Sequence, residues 1–147
     1  MPGLTLAQAS TIVDVALKKS RDSNFQPMTV AVLDAGGHLV AFKREDKSGI
    51  LRFDIAFGKA WGALGMGFGS RTLAERAAST PQFFTMLAAA SSGRIVTNPG
   101  GILIRDAAGD VIGAVGLSGD TGDNDELAGI AGIEAAGLKA DAGGAKK

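Results

Sequence analysis

The feature that most constrains this chain is a pair of apolar runs joined by a short turn. In MTVAVLDAGGHLVAFKR, residues 28–44, Val30 and Val32 sit in the first run and Leu39 to Phe42 in the second. The DAGG between them is turn chemistry, so the segment predicts a β-hairpin. A related pattern recurs in RIVTNPGGILIRDAAGDVIGAVGLSGD, residues 94–120. Ile102 to Ile104 reads as one strand, RDAAGD as a turn, and Val111 to Leu117 as another strand interrupted by Gly113 and Gly116. Strands joined by hairpins make an antiparallel sheet, so the chain predicts an α+β fold rather than a doubly wound one. The strands are apolar at nearly every position, which predicts a sheet covered on both faces.

Helical patterns surround these strands. Thr5 and Gln8 form a capping box, and Leu6, Ala9, Val13, Ala16 and Leu17 follow at helical spacing, predicting a helix from 6 to about 21. Residues 44–52 read as a polar loop. RFDIAFGKAWGALGMGFGS predicts a second helix, in which Gly58 and Gly62 lie one turn apart. Each glycine costs about 1 kcal/mol of helix propensity, and close approach of another backbone is the expected compensation. Ser70 is expected to cap RTLAERAA, and Thr80-Pro81 to open a further helix with Phe83, Phe84 and Leu87 on its apolar face. A closing helix is expected from about Asp123 to Leu138. Residues 1–140 are expected to form a single domain. A flexible C-terminal tail, 141–147, is expected at the end of KADAGGAKK.

Composition narrows the function classes. The chain has 15 basic and 15 acidic residues, so no concentrated basic face points to nucleic acid or an anionic membrane. It has no cysteine and one histidine, which excludes disulfides, thiolate metal sites and cysteine nucleophiles; no metal site is expected. No stretch approaches about 18 uncharged apolar residues, and no signal-peptide pattern is visible, so a cytoplasmic location is the expectation. The 22 glycines among 147 residues suggest tight turns and close backbone packing.

Three motifs together carry a family likeness: VAVLDAGGHLVAFKRED, AFGKAWGALGMG, and NPGGILIRDAAGDVIGAVGLSGDTGDNDELAGIAGI. They resemble the GlcG/HbpS family, which includes the C-terminal domain of PduO-type corrinoid adenosyltransferases. The resemblance runs from about residue 4 to 138. It implies a profilin-like, three-layer α/β/α fold with a five-stranded antiparallel sheet. It also implies a homo-oligomer, from dimer to octamer. Some members resemble haem-binding or haem-degrading proteins, one of them extracellular and acting in iron and redox sensing. Others sit in glycolate, propanediol or aromatic-degradation operons. The implied function is small-ligand binding, with haem or a related tetrapyrrole as the candidate cofactor. The alternative is an enzyme acting on a small organic acid or aromatic catabolite, with Lys59 and Asp120 as acid and base.

The candidate residues follow from chemistry and position. His38, just after the first turn, is a candidate haem ligand or base. Met28, Met66 and Met86 are further candidate ligands whose simpler reading is core packing. Lys59 stands in an apolar, glycine-rich helix, where it either reaches water or points into a pocket with a lowered pKa. The matching lysine of the family motif favours the pocket. Trp61 reads as packing or an oligomer contact. Arg44 suits a two-pronged carboxylate clamp. Asn98, Gly100 and Gly101 precede a strand, and their backbone N–H groups are candidates to line a ligand.

The segment GLSGDTGDNDELAGIAG, residues 116–132, holds Asp120, Asp123, Asp125 and Glu126. It lacks calcium-loop spacing and a G-K-[ST] phosphate-loop ending. As a helix start it reads well, with Asp123 as N-cap, Glu126 as its capping-box partner, and Asp125 and Glu126 meeting the helix dipole. That leaves Ser118, Gly119 and Asp120 at a strand exit, with Asp120 and Asn124 as the first choices for ligand contacts.

Overall fold

A computed structural model of the chain describes residues 3–144. Its elements are α1 (Leu6–Asp22), β1 (Thr29–Asp34), β2 (Leu39–Arg44), α2 (Arg52–Met66), α3 (Ser70–Ser79), α4 (Pro81–Ala90), β3 (Gly101–Arg105), β4 (Val111–Ser118), α5 (Gly122–Ala135) and β5 (Lys139–Asp141). The sheet is antiparallel throughout, in the order β2-β1-β4-β3-β5. Two hairpins, β1–β2 and β3–β4, are joined side by side through β1 and β4. The fold is α+β, as the hairpin pattern predicts.

Both faces of the sheet are covered over its central strands β1, β4 and β3, which explains why these do not alternate apolar with polar residues, whereas the edge strand β2 stays largely exposed. Val30, Val32, Ile102, Ile104, Val115 and Leu117 pack with Ile12, Val13, Ala128 and Ile133 of α1 and α5. Their neighbours Leu33, Leu103 and Ala114 point to the other face and pack with Ala60 and Ala63 of α2. One residue's step along a strand therefore moves a side chain from one helical layer to the other.

Local signals explain the start of α1 and the packing of α2. Thr5 Oγ1 accepts from Gln8 N–H at 3.0 Å and Gln8 Oε1 accepts from Thr5 N–H at 3.0 Å, the reciprocal capping expected at the start of α1. Gly58 admits a second backbone, and Gly62 admits a side chain of the same segment. A Cβ on Gly58 would collide with the Arg94 carbonyl, and one on Gly62 would meet Ile95 Cγ1 at 2.7 Å. Val96 N–H donates to Gly58 O at 3.2 Å, so segment 94–96 lies directly on α2.

Three expectations are corrected. Ser70 does not cap α3, because Gly69 holds that place. The Ser70 hydroxyl instead donates to Asn98 O at 2.6 Å and accepts from Gly101 N–H at 2.7 Å, tying α3 to the start of β3. Residues Lys139–Asp141 are the edge strand β5 rather than the start of a loose tail, and Gly144 N–H donates to Thr72 Oγ1 at 2.8 Å. Residues 145–147 of the expected tail lie outside the described residues. Finally, α4 does not bury its apolar face: none of its residues is buried, and Phe83 is 45% exposed. Among the described residues no helix is long and apolar enough to cross a membrane.

Candidate functional site

The sheet has two ends of opposite character, and the predicted site residues divide between them. At one end, Arg44, Thr29 and Ser118 share a row across β2, β1 and β4. The N-termini of α2, α3 and α5 reach the same end through Arg52, Ser70 and Gly122. Lys59, Asn98, Gly100, Gly101, Ser118, Gly119, Asp120 and Asn124 all gather here. His38 lies at the opposite end, after the β1–β2 turn.

At the first end the central feature is a buried ion pair. Lys59 of α2 is 2% exposed and Asp125 of α5 is 1% exposed. Lys59 Nζ donates to Asp125 Oδ2 at 3.1 Å and to the Leu117 carbonyl at 2.8 Å. The pair links the two helical layers around the end of the sheet, past Gly100 and Gly101. Gly100 has φ of +120°, and a Cβ there would sit 2.9 Å from Lys59 Nζ and 3.1 Å from the Asp125 Cβ. The amine therefore occupies the space that any larger residue at position 100 would need. Burial pushes the Lys59 amine below the ordinary lysine range; the Asp125 charge opposes this and the Arg52 charge adds to it. Burial also pushes the Asp125 carboxyl up, against the pull of Lys59.

Asp120 is not the partner of Lys59. Its Oδ2 accepts from Gln26 N–H at 2.7 Å, and its Oδ1 accepts from Thr121 N–H at 2.7 Å and Asn124 Nδ2 at 2.8 Å. Those donors, led by the Gln26 N–H, hold its carboxyl below the usual range. Its own N–H donates to Asp125 Oδ1 at 2.9 Å, which orients the buried carboxylate. Ser118 Oγ accepts from Arg52 at 3.1 Å. Gly119 packs against the Pro27 carbonyl. Arg44 is exposed and lines an open cleft of about 410 Å³ with Arg21, Pro27, Glu45 and Asp46. Among the described residues, no buried side-chain nitrogen or oxygen lacks a hydrogen-bond partner.

The acidic segment is also redistributed. Thr121, not Asp123, is the N-cap of α5, and its hydroxyl accepts from Asn124 N–H at 3.2 Å. Asp123 and Glu126 both bind Arg71 of α3, Glu126 at 3.0 Å, which raises the guanidinium pKa further. Sequence reasoning missed Asp125 as the partner of Lys59, although a signal was present. Asp125, Ala128, Gly129, Gly132 and Ile133 fall on one helical face, and all are buried. An acid on that stripe must meet a cation or a donor. Arg52 and Arg71 carry no comparable signal, because their roles depend on contacts 55 to 66 residues away.

At the opposite end, His38 follows a turn in which Gly37 has φ of +83°. Its side chain is 80% exposed, and Nδ1 lies 3.2 Å from Asp34 Oδ1. That carboxylate also accepts the backbone N–H of His38 and of Gly36, the main reason its pKa is lowered. A carboxylate on Nδ1 leaves Nε2 as the nitrogen facing outward, the arrangement commonly found behind a metal-ligating imidazole. Trp61 of α2 packs against the same turn, where a Cβ on Gly37 would lie 3.2 Å from the indole Cδ1. Two clefts meet at this indole. One, about 190 Å³, is lined by Ala35, Gly36, Gly37, Leu64 and Gly65. The other, about 160 Å³, is lined by Gly62, Gly65, Met66, Leu87, Ala90 and Ile95, with Ser91. The Arg94 guanidinium stacks 4.2 Å above the Trp61 ring. Met28 is fully buried core, whereas Met86 is 59% exposed on α4. Among the described residues no group of three histidines and carboxylates converges as a bare metal ion would require.

The family model for haem degrading protein HbpS-like matches residues 4–134. The chain belongs to the HbpS-like family. This HbpS-like chain is 30% identical over 124 residues to an uncharacterized 15.0 kDa protein in the dhaT-dhaS intergenic region of Citrobacter freundii, covering 84% of this chain and 85% of that protein. It is similar in fold to the PduOC–haem complex, with a TM-score of 0.83 at 22% identity over 93% of this chain and 97% of that one. Klebsiella pneumoniae ORFY gives 0.82 at 28% identity over 93% and 92%. A double mutant of Streptomyces reticuli HbpS gives 0.77 at 26% identity over 91% and 87%.

Proposed function

We propose that this HbpS-like protein binds haem or a related tetrapyrrole within a homo-oligomer, at the end of the sheet that carries His38 and Trp61. The observation that carries the proposal is the outward-facing carboxylate–histidine pair beside two clefts that share an indole. A tetrapyrrole requires an apolar wall, a donor for its metal and a cation for its carboxylates. Trp61, Leu64 and Leu87 supply the wall, His38 the donor nitrogen, and Arg94 the cation. Bound haem would supply redox and ligand-binding chemistry at its iron. The protein's part is to orient the imidazole through Asp34 and to exclude water along Trp61. The kinship with haem-named proteins supports the same reading.

Hemin titration tests it. The wild type is expected to shift the Soret band, and His38→Ala to alter that shift. Absence of a shift in the wild type contradicts the proposal.

One observation favours a second reading, an enzyme on a small organic acid or aromatic catabolite: the Lys59 amine is buried beside Asp125 and the Leu117 carbonyl, and burial lowers its pKa. In this reading the Lys59 and Asp120 end would open to admit a carboxylate beside Arg44. A thermal-shift screen with small carboxylates checks it. The expected sign is a rise in Tm that Arg44→Ala abolishes, and an unchanged Tm counts against it.

A further inference from the structure

Most arginines of the chain are answered within the subunit. Arg21, Arg71 and Arg105 meet carboxylates, and Arg76 and Arg94 lie over aromatic rings. Among the described residues Arg44 and Arg52 have neither a carboxylate nor a ring. Arg52 is half-buried, and its charge helps to lower the pKa of the buried Lys59 amine. A guanidinium drawn partly out of water without a counter-charge is costly, and an anion would offset that cost.

The two arginines serve one face of the sheet. Arg44, Thr29 and Ser118 are direct neighbours across β2, β1 and β4, so their side chains leave the sheet on the same side. That side carries α2. Phe42, two residues before Arg44, meets Phe53 of α2 edge-on with ring centres 5.0 Å apart. Arg52 Nη1 donates to Ser118 Oγ at 3.1 Å, and its other N–H groups have no acceptor among the described residues. Arg52 thus comes to one end of the row and Arg44 stands at the other, two strand spacings or about 10 Å away along the sheet. Between them the Thr29 and Ser48 hydroxyls pair at 2.7 Å, which uses one hydroxyl hydrogen and leaves the second without an acceptor among the described residues. The row therefore has donors in excess. Glu45 is committed elsewhere, accepting from Arg21 at 3.0 Å and from the Met28 N–H at 2.7 Å. Asp46 and Asp54 are exposed, and among the described residues neither forms an ion pair. Beside Arg44 lies an open cleft of about 720 Å³ with Leu17, Phe42 and Phe53 in its wall.

We infer that Arg44 and Arg52 together bind a phosphate group as its dianion, with the Phe42–Phe53 pair placed to receive an apolar body attached to it. Two guanidinium charges match a dianion, and their forked donors suit its several oxygens. A single carboxylate would leave one guanidinium unanswered. The site needs neither haem nor a reactive Lys59, and it shares only Arg44 with the enzyme reading above.

The test is isothermal titration calorimetry on the full chain at constant ionic strength and about pH 7.5, where phosphate is largely dianionic. The probes are inorganic phosphate, phenyl phosphate and malonate. The variants are Arg44→Gln, Arg52→Gln and Arg52→Lys, with fold checked by far-ultraviolet circular dichroism. The wild type is expected to bind inorganic phosphate, and each Gln variant to bind it about tenfold or more weakly. Arg52→Lys keeps the charge without the fork and is expected to fall between. Equal affinity for both phosphates supports the site and assigns it to the free anion; tighter binding of phenyl phosphate supports it and assigns it to a monoester. Arg44 is exposed, so Arg44→Gln decides alone if Arg52→Gln loses its fold. No binding of either phosphate by the wild type, or unchanged affinity in Arg44→Gln, overturns the inference. Binding of malonate but of neither phosphate overturns it too, and supports the carboxylate of the enzyme reading.

Discussion

At the end of the sheet where Arg44, Thr29 and Ser118 share a row, polar groups answer one another. Lys59 meets Asp125, Asp120 meets three N–H donors, and Arg71 meets two carboxylates. At the end capped by the Asp34–His38 turn, an imidazole and much of an apolar helix face outward, and a half-buried indole lines two clefts. The first end holds the layers together, and the second has surface left over. Chemistry-bearing residue types cluster at the first end, yet, apart from the exposed Arg44, their side chains are engaged in fixing the fold. A dense group of charged residues is therefore a poor guide to a ligand site until their partners are known.

The sharpest way to break this contrast is to disrupt the buried pair. Asp125→Ala strands an ammonium in the interior, and is expected to lower unfolding free energy by about 3–5 kcal/mol in chemical denaturation. A loss below about 1 kcal/mol would mean that the amine reaches water. Gly100→Ala comes next. It places a methyl against Lys59 Nζ at a φ of +120°, with an expected loss of about 1–3 kcal/mol. Thr121→Ala removes the cap of α5 and is expected to cost about 1 kcal/mol, whereas Asp123→Ala, exposed at its ion pair with Arg71, costs less. The reverse order would restore Asp123 as the cap.

The smallest effect is a pH dependence. The Asp120 carboxyl titrates below its unfolded value, so its contribution is full above about pH 4 and is lost as the pH falls through the folded pKa. Asp120→Asn is therefore expected to reduce the loss of stability on acidification below about pH 4. An acid limb unchanged by the substitution would show that the Gln26 and Thr121 contacts do not persist in solution.

Much of the fold was legible because its signals are local. The Thr5–Gln8 capping box, the two hairpin turns and the apolar strands each declare their structure within a few residues. The fifth strand came from the family likeness, since KAD in β5 has no strand pattern of its own and forms by pairing with β3. The site was less legible because it depends on distance. Asp123 and Thr121 are both good N-cap residues, and local propensity does not choose between them. Lys59 was recognisable as anomalous, but its partner lies 66 residues away on another layer. Asp120 stands out as an acid at a strand exit, while its donor on Gln26 is 94 residues distant. α4 runs the other way: its apolar pattern is plain, yet the subunit covers it only in part, with Phe84 and Leu87 half-buried and Phe83 and Met86 exposed.

The contrast between the two ends is tested most directly by hemin titration of His38→Ala and Asp120→Asn side by side at neutral pH. The account predicts that Asp120→Asn keeps the wild-type Soret shift and that His38→Ala changes it. A shift lost in Asp120→Asn and retained in His38→Ala would move the ligand to the opposite end of the sheet and contradict the account.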